Sequence, residues 1–103
     1  MTKSFVLNII KAYDKENPIH SGKLESRTGL KGIQIRDFVR ELRREGEPIC
    51  HSSKGYYYTE DKAEVQKTID NLEGRAASMY ATASALRSKV INNFESNGQG
   101  KLF

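Results

Sequence analysis

The sequence predicts a mostly α-helical α+β fold: three short helices, a two-stranded hairpin and a long final helix. Apolar residues recur every three or four positions near the N-terminus and again over the last third of the chain. Two short runs of β-favouring residues lie between them, separated by a polar turn. A chain of 103 residues accommodates one small domain and an extension. We expect a domain at 1–59, a long helix at 60–95 and a flexible tail at 96–103.

The first helix is predicted from the spacing of its apolar residues and should end near Asn17-Pro18. A one- or two-residue strand at Ile19-His20 follows. Ser21 is the expected N-cap of a second helix from Gly22 to Thr28. The apolar residues that define the first helix are Phe5, Val6, Ile9, Ile10 and Tyr13.

Glycines delimit the next elements. Gly29 supplies the left-handed turn after the second helix, and a third helix should run from Gly32 to Glu45 and stop at Gly46. Two strands are expected beyond Pro48, and Thr59 or Asp61 should cap the fourth helix, with Asp61 and Glu64 at capping-box spacing. The strands are Ile49–His51 and Tyr56–Tyr58, joined by Ser52–Gly55. Alternate tyrosine rings should pack inward.

The third helix concentrates positive charge. Between Lys31 and Arg44 there are five basic residues against two acidic ones, within a chain of net charge +4 and pI near 9.3. Leu24, Leu30 and the apolar side of this helix should form a buried corner, so that its polar side faces outward. We expect its first turn to reach base edges in the DNA major groove and its later arginines to meet phosphates. The predicted DNA-binding residues are Lys31, Gln34, Arg36, Asp37, Arg40, Arg43, Arg44 and, on the hairpin tip, Lys54.

The region resembles the N-terminal winged helix-turn-helix domain of the biotin repressor and its relatives. The resemblance covers about two-fifths of the chain and implies a module that binds an operator or similar DNA site. The overall layout also looks like small phage-encoded winged-helix proteins. The matching residues are His20-Ser21-Gly22, Leu24, Thr28-Gly29-Leu30, Ile35, Leu42-Arg43, Gly46 and Lys54-Gly55-Tyr56.

The last helix carries apolar residues at alternating spacings of four and three, which is a heptad seam. Gly74 costs this helix about 1 kcal/mol without having to break it. A seam this long favours a homodimer; the alternative is a break near Gly74 that lets the helix fold back. The seam comprises Val65, Ile69, Leu72, Ala76, Met79, Ala83, Leu86 and Val90.

The last five residues resemble the peptide with which bacterial replication proteins bind the sliding clamp. Gln99, Leu102 and Phe103 carry that resemblance, and the alternative is an incidental apolar terminus. Cys50 and the two histidines lack metal-site spacing, and no phosphate-binding or dinucleotide motif occurs, so we predict neither a cofactor nor enzymatic activity.

Two functions follow. The first is a cytoplasmic, double-stranded DNA-binding protein of bacterial or phage origin, acting as a transcriptional regulator or as a replication accessory factor. The second is an adaptor that uses the winged helix and the long helix to assemble protein complexes and is recruited to the sliding clamp by its C-terminal peptide. No apolar run approaches membrane-spanning length.

Overall fold

A computed structural model describes residues 2–96 of the chain. Its elements are α1 (Lys3–Ile10), α2 (Ser21–Thr28), α3 (Gly32–Arg44), β1 (Ile49–Ser52), β2 (Gly55–Tyr58), α4 (Lys62–Leu86), a π-helical turn (Arg87–Ile91) and α5 (Asn92–Ser96). The predicted fold class is therefore confirmed. Three helices followed by an antiparallel hairpin are consistent with a winged helix. The chain divides between Thr68 and Ile69 into two compact units.

The first unit is built around one apolar core. Each of its three short helices contributes residues that are almost completely inaccessible to water, and the hairpin adds Ile49 and Tyr56. Burial of these side chains is the main force that holds such short helices in place. The core residues are Val6, Ile10, Ile19, Leu24, Ile35, Val39, Leu42, Ile49 and Tyr56.

The prediction that the first helix continues to Asn17-Pro18 is wrong, because α1 ends at Ile10. Two tighter backbone hydrogen bonds follow it, from Ala12 to Ile9 and from Tyr13 to Ile10. The Tyr13 carbonyl then accepts the Tyr58 amide at 3.0 Å, so it pairs with the hairpin instead of a helical turn. A long-range hydrogen bond of this kind is invisible to the spacing of apolar residues.

The cap of α2 also differs from the prediction. Ser21 is the first helical residue, and His20 is the N-cap, with Nδ1 accepting the Gly22 amide at 3.1 Å. The end of α2 is as predicted, since Gly29 adopts a left-handed φ of 72° and its amide donates to the Glu25 carbonyl. α3 ends at Arg44, one residue before the predicted Glu45.

The hairpin is one residue longer in each strand than predicted. β1 and β2 pair antiparallel with Ile49 opposite Tyr58 and Ser52 opposite Gly55. The predicted strand of one or two residues at Ile19-His20 is confirmed at Ile19, which bridges to Tyr56 through two backbone hydrogen bonds of 2.8 and 2.9 Å. This bridge fastens the segment before α2 to the hairpin.

Alternate tyrosine rings of β2 pack inward as predicted, since Tyr58 lies against the same core as Tyr56. Tyr56 packs in the core, yet Tyr57 on the opposite side of the strand is also buried. The start of α4 covers that side, because the Glu64 carboxylate accepts the Tyr57 hydroxyl at 2.9 Å and the Cys50 thiol lies 3.7 Å from the Glu64 carbonyl oxygen. Both sides of the hairpin thus carry buried side chains.

Asp61 is the residue that caps α4, since its Oδ1 accepts the Ala63 amide at 3.0 Å. The capping-box role of Glu64 is wrong, because its carboxylate is used by Tyr57, Lys15 and Lys67. α4 continues through Gly74 without a break, as predicted.

Candidate nucleic-acid interface

α3 has one buried side and one exposed side. Ile35, Val39 and Leu42 lie in the core at helical spacing. The residues on the opposite side occur at the same spacing and are all exposed: Ile33, Asp37, Arg40 and Arg44. We call these four residues the outer stripe. A helix anchored along one side in this way presents its other side as a rigid surface.

The basic residues along this surface differ in how they are held. Arg40 Nη1 forms an ion pair with Asp37 Oδ1 at 3.0 Å, and both side chains are more than half exposed. The Arg36 side chain folds back towards Gly32 at the start of the helix. A Cβ atom added to Gly32 would lie 3.4 Å from Arg36 Nη1. The Glu25 carboxylate lies at the same place, 3.8 Å from that Cβ position.

Arg43 has a structural contact that the sequence did not indicate. Its Nε donates to the Ile49 carbonyl at 2.8 Å, which links the end of α3 to the start of β1. The residue is half-buried, unlike the exposed Arg36, Arg40 and Arg44. Arg43 therefore contributes to the contact between α3 and the hairpin, and contact with DNA stays a prediction for it.

The first turn of α3 is closed by Gln34. Its Oε1 accepts the Lys31 amide at 2.9 Å, so the side chain folds back over the helix start. That oxygen keeps a second lone pair, and the amide nitrogen supplies the donors that a base edge would need. Lys31 itself is exposed just before the helix. Lys54 is exposed in the hairpin turn, where its amide donates to Ser52 Oγ at 3.2 Å.

Ile33 is the residue of this surface that sequence reasoning missed. It is 61% exposed, although it is a large apolar side chain. The signal was present in the sequence, because Ile33 lies four residues before Asp37 and belongs to the same side of the helix. An apolar group among charges at a helix start can contact the methyl group of thymine.

A cluster of polar groups around Glu64 lies against the side of the hairpin that carries Tyr57. Glu64 is 8% exposed and receives hydrogen bonds from Tyr57 and, at 3.1 Å, from Lys15. Hydrogen bonds from Lys15 and Tyr57 hold the pKa of Glu64 below its ordinary value. Burial, together with the bond to Glu64, raises the pKa of Tyr57 to about 12. The cluster joins α4 to β2 within the first unit.

We expect Glu64→Gln to lower the denaturant midpoint of the protein at neutral pH. Because the pKa of Glu64 is lowered on folding, its ionised form stabilises the fold above the ordinary pKa of 4.5, and that contribution is lost as pH falls further. The difference in midpoint between wild type and Glu64→Gln should therefore shrink below pH 4.5. Urea titrations followed by circular dichroism at several pH values measure it. A difference that is independent of pH would contradict an ionised Glu64 in the folded state.

The predicted seam is a largely exposed surface. Val65 is half-buried in the first unit, and the predicted positions from Ile69 onward are exposed, with Met79 at 70% and Leu86 at 57%. The π-helical turn that begins at Arg87 interrupts the α-helical spacing on which the place of Val90 in the seam depended. Self-association through these residues stays a prediction.

The predicted clamp-binding residues Gln99, Leu102 and Phe103 lie outside the described residues. No helix within residues 2–96 combines the length and the apolar character needed to cross a membrane. Comparisons of the chain with protein-family models, with curated proteins and with solved structures find no match.

Proposed function

We propose that this protein binds double-stranded DNA with α3 in the major groove and the hairpin beside it. The observation that carries the proposal is the outer stripe of α3, which exposes Arg40 and Arg44 while the opposite side of the helix is buried. A helix supported in this way has the diameter that the major groove admits. The excess of basic residues in α3 suits a phosphate backbone. The resemblance to the biotin repressor domain supports the same function.

The residues of α3 divide into two groups by their position along the helix. Ile33, Gln34 and Arg36 occupy the first turns, which lie deepest in the groove when a recognition helix enters by its N-terminal end. In this proposal they read base edges. Arg40 and Arg44 lie further along and bind phosphates, and Asp37 orients Arg40 through the ion pair. Lys31 and Lys54 extend the contacts to the backbone on either side.

We expect Arg36→Ala and Arg40→Ala to weaken duplex binding in different ways. Loss of a base contact by Arg36 should cost about 1–3 kcal/mol on the preferred sequence and relax the sequence preference. Loss of a phosphate contact by Arg40 should weaken binding to all sequences alike and reduce the salt dependence by about one counterion. Fluorescence anisotropy titrations against several duplexes and salt concentrations measure both effects.

Lys89→Ala is the matched control for these variants. It removes one positive charge from an exposed position in the second unit, after the last of the seam residues in α4 and outside the proposed DNA interface. Its affinity for DNA should stay close to that of wild type. If Arg36→Ala and Arg40→Ala also bind like wild type while remaining folded, α3 is not the recognition helix.

We further propose that the protein acts as a homodimer that associates through α4. The motivation is the series of exposed apolar residues in the second unit, which includes Met79 and Leu86. Two-fold symmetric DNA sites commonly bind dimers, so self-association fits the proposed function. A transcriptional regulator and a replication accessory factor both use such an arrangement, and the sequence similarity of Gln99, Leu102 and Phe103 to clamp-binding peptides favours the second.

The competing function is an adaptor that uses the same surfaces for protein partners. The two functions differ in their response to salt. Binding of a duplex releases counterions and weakens steeply as salt rises, whereas an adaptor has no affinity for duplex at any salt concentration. Retention of the protein on immobilised duplex at increasing salt separates the two.

A further inference from the structure

The exposed seam of the second unit has an ordered pattern of side-chain sizes. Six of its positions lie within the uninterrupted part of α4, at alternating spacings of three and four, and all six are exposed. In order along the helix these six residues are Ile69, Leu72, Ala76, Met79, Ala83 and Leu86. Large residues occupy both ends, and small residues alternate with large ones in the middle.

This pattern fits a second copy of the chain poorly in parallel orientation. In a parallel pair of helices each seam position packs against the same position of the other copy. Two alanines would then meet at position 76 and again at position 83, which leaves two underfilled layers. Underfilled layers lose both apolar burial and van der Waals contact.

The same pattern is complementary in antiparallel orientation. When the helices are aligned so that Ile69 packs against Leu86 of the second copy, the remaining layers are fixed by the helical spacing. Leu72 then packs against Ala83, and Ala76 packs against Met79. The two-fold axis repeats these three layers, so that every central layer combines one large and one small residue.

The charges around the seam are compatible with this alignment. From Ala76 to Leu86 the helix carries no charged residue, so the central part of the surface can meet a second copy without burying charge. The charged residues that flank this stretch are Glu73 and Arg75 before it and Arg87 directly after it. In the antiparallel alignment Glu73 and Arg75 approach Tyr80 and Thr82 of the second copy, and neither of the two faces a like charge.

The alignment also ends where the helix geometry changes. The six residues span seventeen steps of 1.5 Å, about 26 Å of α-helix. After Leu86, each hydrogen-bonded ring of the π-helical turn contains one more residue than a ring of an α-helix. The extra residue rotates the side chains that follow away from the line of the seam. Val90 therefore lies outside the proposed contact.

We propose that α4 pairs antiparallel with α4 of a second copy through the layers Ile69–Leu86, Leu72–Ala83 and Ala76–Met79. The proposal rests on the self-association proposed above and is independent of DNA binding. It assigns an orientation and a register, and both can be tested by disulfide formation between cysteines introduced into the full-length chain.

The test uses two variants with one introduced cysteine each, Leu72→Cys and Ala83→Cys. A disulfide requires Cα atoms within about 7 Å. In the antiparallel pair, position 72 lies beside position 83 of the second copy, whereas each position is about 16 Å along the axis from its own equivalent. Under mild oxidation each variant alone should stay non-covalent, and an equimolar mixture should form covalent dimers. The wild-type chain is the control, since its only cysteine, Cys50, is buried.

The outcomes are distinct on a non-reducing gel. Covalent dimers in the mixture but in neither single variant support the antiparallel register. Covalent dimers of Ala83→Cys alone show a parallel pair and overturn it. If no sample cross-links, the register is wrong. Sedimentation equilibrium on the wild-type chain then shows whether self-association fails as well, because a monomer at every concentration overturns both proposals.

Discussion

Replacement of Gly55 by alanine should severely lower the stability of the folded protein. Gly55 has a φ of 139°, and a Cβ atom on it would lie 2.1 Å from the Ile19 carbonyl oxygen. That oxygen accepts the Tyr56 amide in the bridge between the loop and the hairpin. The backbone must therefore separate at the bridge, and we expect a loss of at least about 3 kcal/mol. Small domains have total stabilities near the low end of about 5–15 kcal/mol. Urea denaturation followed by circular dichroism measures the change.

Gly74→Ala is the matched control, because it adds the same methyl group where nothing lies within 4 Å. Gly74 is inside α4, so alanine should raise helix stability by about 1 kcal/mol. The two glycine variants should thus shift stability in opposite directions. A Gly55→Ala protein as stable as wild type would show that the Ile19–Tyr56 bridge is absent from the folded state.

The second large effect is expected for Ile35→Ala. Ile35 is 1% exposed and anchors α3 in the core. Truncation removes apolar burial and leaves a cavity, which together cost about 2–5 kcal/mol. A thermal or urea melt should show this loss. The free energy of DNA binding, measured at a temperature where the variant stays folded, should change by less than the free energy of unfolding.

Ile33→Ala is the control for Ile35→Ala, with the same atoms removed from the same helix two residues earlier. Ile33 is mostly exposed, so its truncation should change stability by less than about 0.5 kcal/mol. In the proposed function it should weaken binding instead, most strongly on duplexes with thymine at the contacted step. Equal losses of stability in the two variants would mean that α3 is rotated relative to the core from its described orientation.

The sequence predicted the order of elements well because local signals define them. Gly29 and Gly46 both adopt positive φ at the ends of helices, as the helix C-termini required. Pro18 disfavours a helical conformation of the residue before it, and Ile19 follows as the bridge residue. These features depend on a few neighbouring residues, so they can be read from the chain.

The errors arose where a residue found a distant partner. α1 ends early because the Tyr13 carbonyl pairs with the Tyr58 amide, which is far away in sequence. Tyr57 is buried because Glu64 covers it, although Glu64 looked like part of a helix cap. Neither contact follows from periodicity or local propensity, since both depend on how the elements pack.

The positive charge of the candidate interface could be predicted from the sequence, whereas the contacts of its individual side chains could not. Basic residues in α3 were evident from composition, and Arg40 and Arg44 lie on the exposed side. The structural contact of Arg43 with the Ile49 carbonyl depends on the position of the hairpin, which the sequence does not give. Ile33 was overlooked because exposed apolar residues are common and carry little signal individually.

The contacts at the start of α4 bear on how the long helix forms. Forming the first turn of any helix is costly, whereas adding further residues is nearly neutral. Here the first turn is held by Asp61 as its cap and by Glu64, which is bonded to Tyr57. The folded first unit therefore supplies the nucleus from which the exposed part of α4 propagates. Any event that separates the hairpin from Glu64 removes that nucleus, so damage to the first unit should also melt the part of α4 that follows Thr68.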